Sequence, residues 1–159
     1  MTEASHWLSA AEQQAWRSFL RVQDKLLTRL ARELQNDSGL SAADYGVLVN
    51  LTDVPEGRLP MLELARTVEW EKSRMSHHIA RMEKRGLVAR EECAGDKRVA
   101  FVAITPEGRE AIEAAAPRHV AAVRRLVVAP LTPAELAMLG QISDRILEEL
   151  EREPSSGGQ

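Results

Sequence analysis

From residue 9 onward the apolar residues Trp16, Phe19, Leu20, Leu26, Leu27, Leu30 and Leu34 recur at helical spacing. Residues three and four apart share one face of a 3.6-residue turn, so the pattern predicts one long helix ending near residues 36–39. Ser9, Ser41 and Thr132 each stand three residues before a carboxylate: Glu12, Asp44 and Glu135. That is the reciprocal arrangement that satisfies two orphan amides at a helix start. Pro133 adds a proline at the first helical position, where its missing amide costs nothing. A short helix is expected over 42–53, a turn over 54–57, and a third helix over 61–68. A further helix follows Glu69, with Met75, Ile79 and Met82 as its buried stripe and Gly86 as its stop. Residues 88–93 and 98–104, the second run rich in β-branched and aromatic residues, read as a hairpin around residues 94–97. A helix from 107 to about 128 contains Pro117, which predicts a kink over 113–117. Leu136, Leu139, Ile142, Ile146 and Leu150 give the last helix a narrow apolar seam, and residues 154–159 read as a disordered tail. Neither terminal seam has an obvious partner in the small central core. The first helix (9–36) and the last two (106–151) are therefore expected to form a dimerisation bundle around a lobe over 40–105.

Charge is sorted along this layout. Residues 1–65 hold six Lys/Arg against nine Asp/Glu, residues 66–98 hold nine against six, and residues 99–159 hold six against nine. Within 72–85, Lys72, Arg74, Arg81, Lys84 and Arg85 face only Glu83. The net charge of -3 would argue against a polyanionic partner, but acidic flanks beyond a Debye length of roughly 10 Å leave the local field of a basic helix largely intact. With Met75, Ile79 and Met82 inward, Ser73, His77, Ala80, Arg81 and Lys84 point the other way, and Arg74 and Ser76 lie on the flanks. Arginine, serine and histidine donate to base edges and phosphates, so this face suits the major groove of duplex DNA. A basic solvated helix that binds nothing is the plainer alternative. A module that binds protein would call for an apolar outward face instead.

The chain resembles the MarR family of winged helix-turn-helix transcriptional regulators. The resemblance is carried by Leu64-Ala65, by Ser73-Arg-Met-Ser-His77 with Arg81-Met-Glu-Lys-Arg-Gly-Leu-Val88, and by Asp96-Lys-Arg98 followed by Ile104-Thr105-Pro-Glu-Gly108. It covers roughly residues 9–150, with Ile104 where the family usually has leucine. It implies a mainly α fold: a winged helix-turn-helix core with a short β-hairpin wing, flanked by N- and C-terminal helices forming a dimerisation bundle, in a single domain over 1–159. It also implies the function of a sequence-specific repressor that binds a pseudo-palindromic operator as a homodimer. Lys72, Ser73, Arg74, Ser76, His77, Arg81 and Lys84 would be the contacts of the recognition helix. Of Asp96, Lys97 and Arg98 on the wing, Arg98 would enter the minor groove with Asp96 orienting it. Leu136, Leu139, Ile142, Ile146 and Leu150 would close the dimer.

Aromatic placement extends this expectation to a small aromatic or phenolic acid effector. His6, Trp7, Trp16 and Tyr45 fall in the first two helical regions, where related regulators form a crevice, and Arg17 could pair with a ligand carboxylate. Trp16 reads equally well as a packing anchor, and a DNA-binding regulator without an effector remains an alternative. His78 reads as a half-buried packing residue beside the methionines, and Trp70 as a packing residue of the hinge. Cys93, the only cysteine, would be the thiol of a redox-sensor alternative, but its acidic neighbour Glu92 favours an inert thiol. One cysteine allows no internal disulfide. Adjacent His77 and His78 diverge on a helix, so no metal is expected, and no cofactor. An enzyme is not expected: there is no glycine-rich phosphate loop, and Glu91 and Glu92 on a strand point to opposite faces. No membrane-length apolar run and no signal-peptide layout are present, so a cytoplasmic location is expected.

Overall fold

A computed structural model describes residues 7–93 and 96–152, with the backbone alone for residues 93 and 96–99. The elements run α1 (Ala10–Ser38), α2 (Ala42–Thr52), β1 (Arg58–Pro60), α3 (Met61–Thr67), α4 (Lys72–Lys84), β2 (Val88–Cys93), β3 (Asp96–Ile104), α5 (Pro106–Val123), a π-helical turn (Arg124–Val128) and α6 (Pro133–Arg152). The contacts divide the chain into two compact units, with the boundary between Val120 and Ala121. The tail over 154–159, the hairpin residues 94–95 and His6 lie outside the described residues.

All three expected capping boxes form. Ser9 Oγ accepts from the Glu12 amide at 3.3 Å while Glu12 accepts from the Ser9 amide at 2.7 Å. Ser41 and Asp44 repeat the exchange at 3.0 and 2.9 Å, and Thr132 and Glu135 at 3.3 and 2.8 Å. Each cap contributes about 1 kcal/mol to its helix. Within the first unit, α1 enters the core only near its end, through Leu34, where it meets Leu48 and Leu51 of α2, Leu64 of α3 and Met75, Ile79 and Met82 of α4. The last three are fully buried, worth about 1.5–3 kcal/mol each by area, and they fix which face of α4 is left outside. Gly86, at φ 75°, supplies the left-handed residue that stops α4, so the chain turns directly into β2.

The sheet has the order β1-β3-β2, antiparallel throughout. β3 starts at Asp96, two residues earlier than expected, and its register with β2 shifts between Glu92 and Cys93. β1 was not anticipated. Its three residues pair Arg58 with Ala103 and Pro60 with Phe101, and so short a strand carries no readable alternation. At this edge position Pro60 can lack a ladder amide without loss.

The Ile-Thr-x-x-Gly motif is the device that starts α5. Thr105 Oγ1 donates to the Gly86 carbonyl at 2.5 Å and accepts from the Gly108 amide at 2.9 Å, while the Thr105 amide reaches the Leu87 carbonyl at 3.2 Å. A β-carbon at Gly108 would lie 2.0 Å from that same Leu87 oxygen, so only glycine lets the helix approach this closely. Pro117, the expected site of a kink, lies inside α5, which stays α-helical through it, and an irregular turn that was not anticipated comes later, at Arg124–Val128. Pro117 removes one amide, but Glu113, which would receive that bond, is exposed, so water can take its carbonyl. At the later turn the Ala129 amide reaches back five residues to Arg124 at 2.7 Å, which is π geometry. α6 buries none of its residues: Leu136, Leu139, Ile142, Ile146 and Leu150 are 37% to 64% exposed. Among the described residues no single helix is long and apolar enough to cross a membrane.

Candidate nucleic-acid interface

Burial of Met75, Ile79 and Met82 turns Lys72, Ser73, Arg74, His77, Arg81 and Lys84 into the exposed face of α4. Among the residues whose side chains are described, no carboxylate pairs with Lys72, Arg74, Arg81 or Lys84. Arg85, part of the same charge surplus, is spent elsewhere: it donates to Asp44 Oδ2 at 2.6 Å and to the Gly39 carbonyl at 3.0 Å. The positive surface of α4 that no described carboxylate compensates is therefore made by Arg74, Arg81 and Lys84 away from the buried stripe, with Lys72 exposed at the start of the helix. Local fields of this kind draw a polyanion to a surface even when the net charge of the protein is negative.

Ser76 departs from the expected contact set. It is half-buried, and its carbonyl and hydroxyl both accept from Arg90 Nη2, at 2.6 and 3.4 Å. Glu83 completes this tether by accepting from the Arg90 amide at 3.2 Å. Arg90 thus ties the stem of the hairpin to α4. Sequence reading missed it because a strand arginine 14 residues from its partner carries no local signal. The backbones of Asp96, Lys97 and Arg98 open β3; their side chains, like that of Cys93, lie outside the description.

His78 is also not the simple packing residue expected. It is 5% exposed and sits among polar partners. Arg81 Nη2 lies 3.0 Å from its Nδ1, and because a guanidinium has only donors, Nδ1 must accept and the proton must sit on Nε2. Nε2 faces Asp44 Oδ1 at 3.1 Å but off the line of a good hydrogen bond, so that contact is mainly electrostatic. Burial, opposed by the charge of Asp44 but reinforced by Arg81, Arg85 and Arg74, holds the imidazole below its usual 6.5, in the neutral form this geometry requires. Burial pushes the Asp44 carboxyl upward, yet the Arg85 hydrogen bond, the Ser41 amide and hydroxyl and the Arg85 charge outweigh it, leaving Asp44 below 3.8. Trp70 meets His78 edge-on, with ring centroids 5.3 Å apart, and its own face carries the Arg74 guanidinium at 4.0 Å.

Among the described effector candidates, Trp16 and Arg17 are not brought to Tyr45 within the chain. Trp7 is 81% exposed, and Trp16, 51% exposed, pairs with Phe19 at 6.0 Å, with Arg17 exposed beside it. Tyr45 packs instead on the ring of His119 at 4.6 Å, and burial pushes its hydroxyl upward. Because α1 is unbroken, Trp16 lies about 27 Å along it from Leu34, where that helix meets the core that Tyr45 borders. The acidic pair on β2 is also accounted for in part: Glu91 accepts from Arg58 at 3.1 Å. Among the described residues no group of three His, Cys, Asp or Glu is placed to hold a metal ion.

Comparison with known proteins agrees with this geometry. The sequence model of the MarR family matches residues 38–99, which span α2 to the hairpin. Sco3205, a MarR family transcriptional regulator from Streptomyces coelicolor whose crystal structure was determined in complex with DNA, is 44% identical. The alignment covers 97% of this chain and 96% of that one, with a TM-score of 0.88. AbsC, a MarR family transcriptional regulator from the same organism, is 40% identical over 94% of this chain and all of its own, also with a TM-score of 0.88. The transcriptional regulator HosA of Escherichia coli is 37% identical over 78 residues, 49% of this chain and 56% of HosA, so the match spans about half the length of that relative. On fold and on near full-length identity to the two Streptomyces proteins, the chain belongs to the MarR family of transcriptional regulators.

Proposed function

We propose that the protein binds duplex DNA as a homodimer, with α4 in the major groove and the β2–β3 hairpin as the wing. The observation that carries this reading is the exposed cations Lys72, Arg74, Arg81 and Lys84, which no described carboxylate pairs, on a helix whose Met75, Ile79 and Met82 are locked into the core. Ser73 and His77 share that exposed face and add hydrogen-bonding groups, while Asp96, Lys97 and Arg98 on β3 supply the wing contacts. The complex of the Streptomyces coelicolor relative with DNA supports the same use of the fold. The apolar seam of α6, with no buried residue of its own, is the surface a second copy would cover. Two such units call for a pseudo-palindromic operator with half-sites about one helical turn apart. The protein would act in the cytoplasm as a repressor.

The test is a gel shift on an operator selected from random duplexes. Arg74→Ala and Arg81→Ala should each cost on the order of 1–3 kcal/mol if the side chain reads a base. Lys84→Ala should weaken all sequences alike, as a phosphate contact does. Wild-type affinity in the Arg74/Arg81 double mutant would overturn the assignment.

Release by a small aromatic acid is the second part of the proposal, and the half-buried Tyr45–His119 ring pair is the observation that favours it. Bringing Trp16 and Arg17 to the same ligand would require a second copy of the chain. Titration with salicylate-like acids, followed by tryptophan fluorescence and operator release, separates this from regulation without an effector.

A further inference from the structure

Two of the exposed arginines of α4 do not swing freely. Arg81 is held through its Nη2 by the Nδ1 of buried His78, and Arg74 lies over the face of Trp70. His78 and Trp70 hold one another edge-on, and Asp44, on a different helix, faces His78 Nε2 with Oδ1 while its Oδ2 takes Arg85 and the Ser41 amide. The core thus reaches two surface cations through one imidazole. An unrestrained arginine loses up to about 2 kcal/mol of rotamer freedom when it is fixed on a base, and a side chain already held loses less. Attraction to the phosphate backbone needs charge but no fixed direction.

We infer that His78, anchored between Asp44 and Trp70, is a positioning residue that aims Arg81 for base reading and so sets sequence specificity rather than general DNA affinity. This rests on the DNA-binding reading above. The hold works only while Nδ1 accepts, since a proton there would meet the donor of Arg81. The charged groups facing the imidazole are Asp44 from α2, which favours that proton, and Arg74, Arg81 and Arg85 from α4, which oppose it.

The experiment measures binding of the full-length protein, by fluorescence anisotropy, to a selected operator and to a scrambled duplex of the same length, at pH 7.5 and 5.5. His78→Phe keeps an aromatic ring against Trp70 but removes the acceptor, so it should lose about tenfold on the operator and less than about twofold on the scrambled duplex. In an Arg81→Ala background the same change should have no further effect on their ratio. His78→Asn places an amide oxygen where Nδ1 stood; it should restore most of the discrimination and remove the part of the acid-induced loss that belongs to residue 78. His77 is present in both proteins, so the difference between their pH profiles reports His78 alone. A His78→Phe protein with the wild-type ratio, or one equally weakened on both duplexes, overturns the inference. If His78→Phe does not fold, identical pH profiles for wild type and His78→Asn overturn it instead. Wild-type protein that fails to distinguish operator from scramble removes the DNA-reading proposal itself, a separate and visible outcome.

Discussion

Replacing Gly108 by alanine tests the junction between α5 and the hairpin with a single carbon. That carbon would fall 2.0 Å from the Leu87 carbonyl oxygen and 2.9 Å from the carbonyl carbon. Both obstacles are backbone, so no rotamer change relieves the clash, and the start of α5 must withdraw by about 1.4 Å to bring the 2.0 Å approach out to the 3.4 Å of ordinary contact. Withdrawal strains the bonds of Thr105 to Gly86 at 2.5 Å and to Leu87 at 3.2 Å. Overpacking costs about 1–3 kcal/mol, two weakened hydrogen bonds about 1 kcal/mol each, and the better helix propensity of alanine returns about 1 kcal/mol. The expected net loss is about 2–4 kcal/mol, or a melting temperature lower by roughly 5–15 °C. Urea unfolding of the variant measures it directly. Gly46→Ala is the matched control: it lies within α2 with no atom within 4 Å of the added carbon, so it should stabilise by about 0.5–1 kcal/mol. A Gly108→Ala loss below about 0.5 kcal/mol would refute the argument that this approach demands glycine.

Asp44→Ala should cost about 2–4 kcal/mol in urea unfolding, from a lost cap and a broken ion pair that Arg85, 44% exposed, softens through solvent; a loss below about 1 kcal/mol would mean the carboxylate only caps α2. His78, whose folded value is depressed, contributes stability present above its unfolded value of 6.5 and lost as pH falls through the lower folded value. Unfolding followed between pH 7.5 and 4.5 should show that fall in wild type and a flatter profile in His78→Asn, and equal slopes would contradict it. Leu139→Asp or Ile146→Asp places a charge in the α6 seam and should dissociate or unfold the protein, while sedimentation of a folded wild-type monomer at micromolar concentration would exclude the dimeric operator model.

What could be read from the chain was local. The capping boxes at Ser9, Ser41 and Thr132 involve residues three apart, and the stripe of Met75, Ile79 and Met82 repeats within one helix, so periodicity placed both the helices and the outward face of α4. β1 escaped notice because three residues ending in proline have no period, and its existence depends on a free edge of β3 some 40 residues later. Pro117 sits on an exposed turn inside a continuous helix, and the π turn formed instead over Arg124–Val128, where no proline or glycine marks it. Trp16 was grouped with Tyr45 because both fall in the first two helical regions, but an unbroken helix of 29 residues carries Trp16 far from the core that Tyr45 borders. The polar network shows the same limit more sharply. A histidine beside methionines reads as packing, and an aspartate three residues after a serine reads as a cap. Asp44 is that cap, yet its carboxylate also meets Arg85 and His78 from another helix, and the local role, complete in itself, hides the distant one. The residues that orient a surface arginine are therefore found by asking which buried polar atoms remain to be satisfied after every local motif has been accounted for.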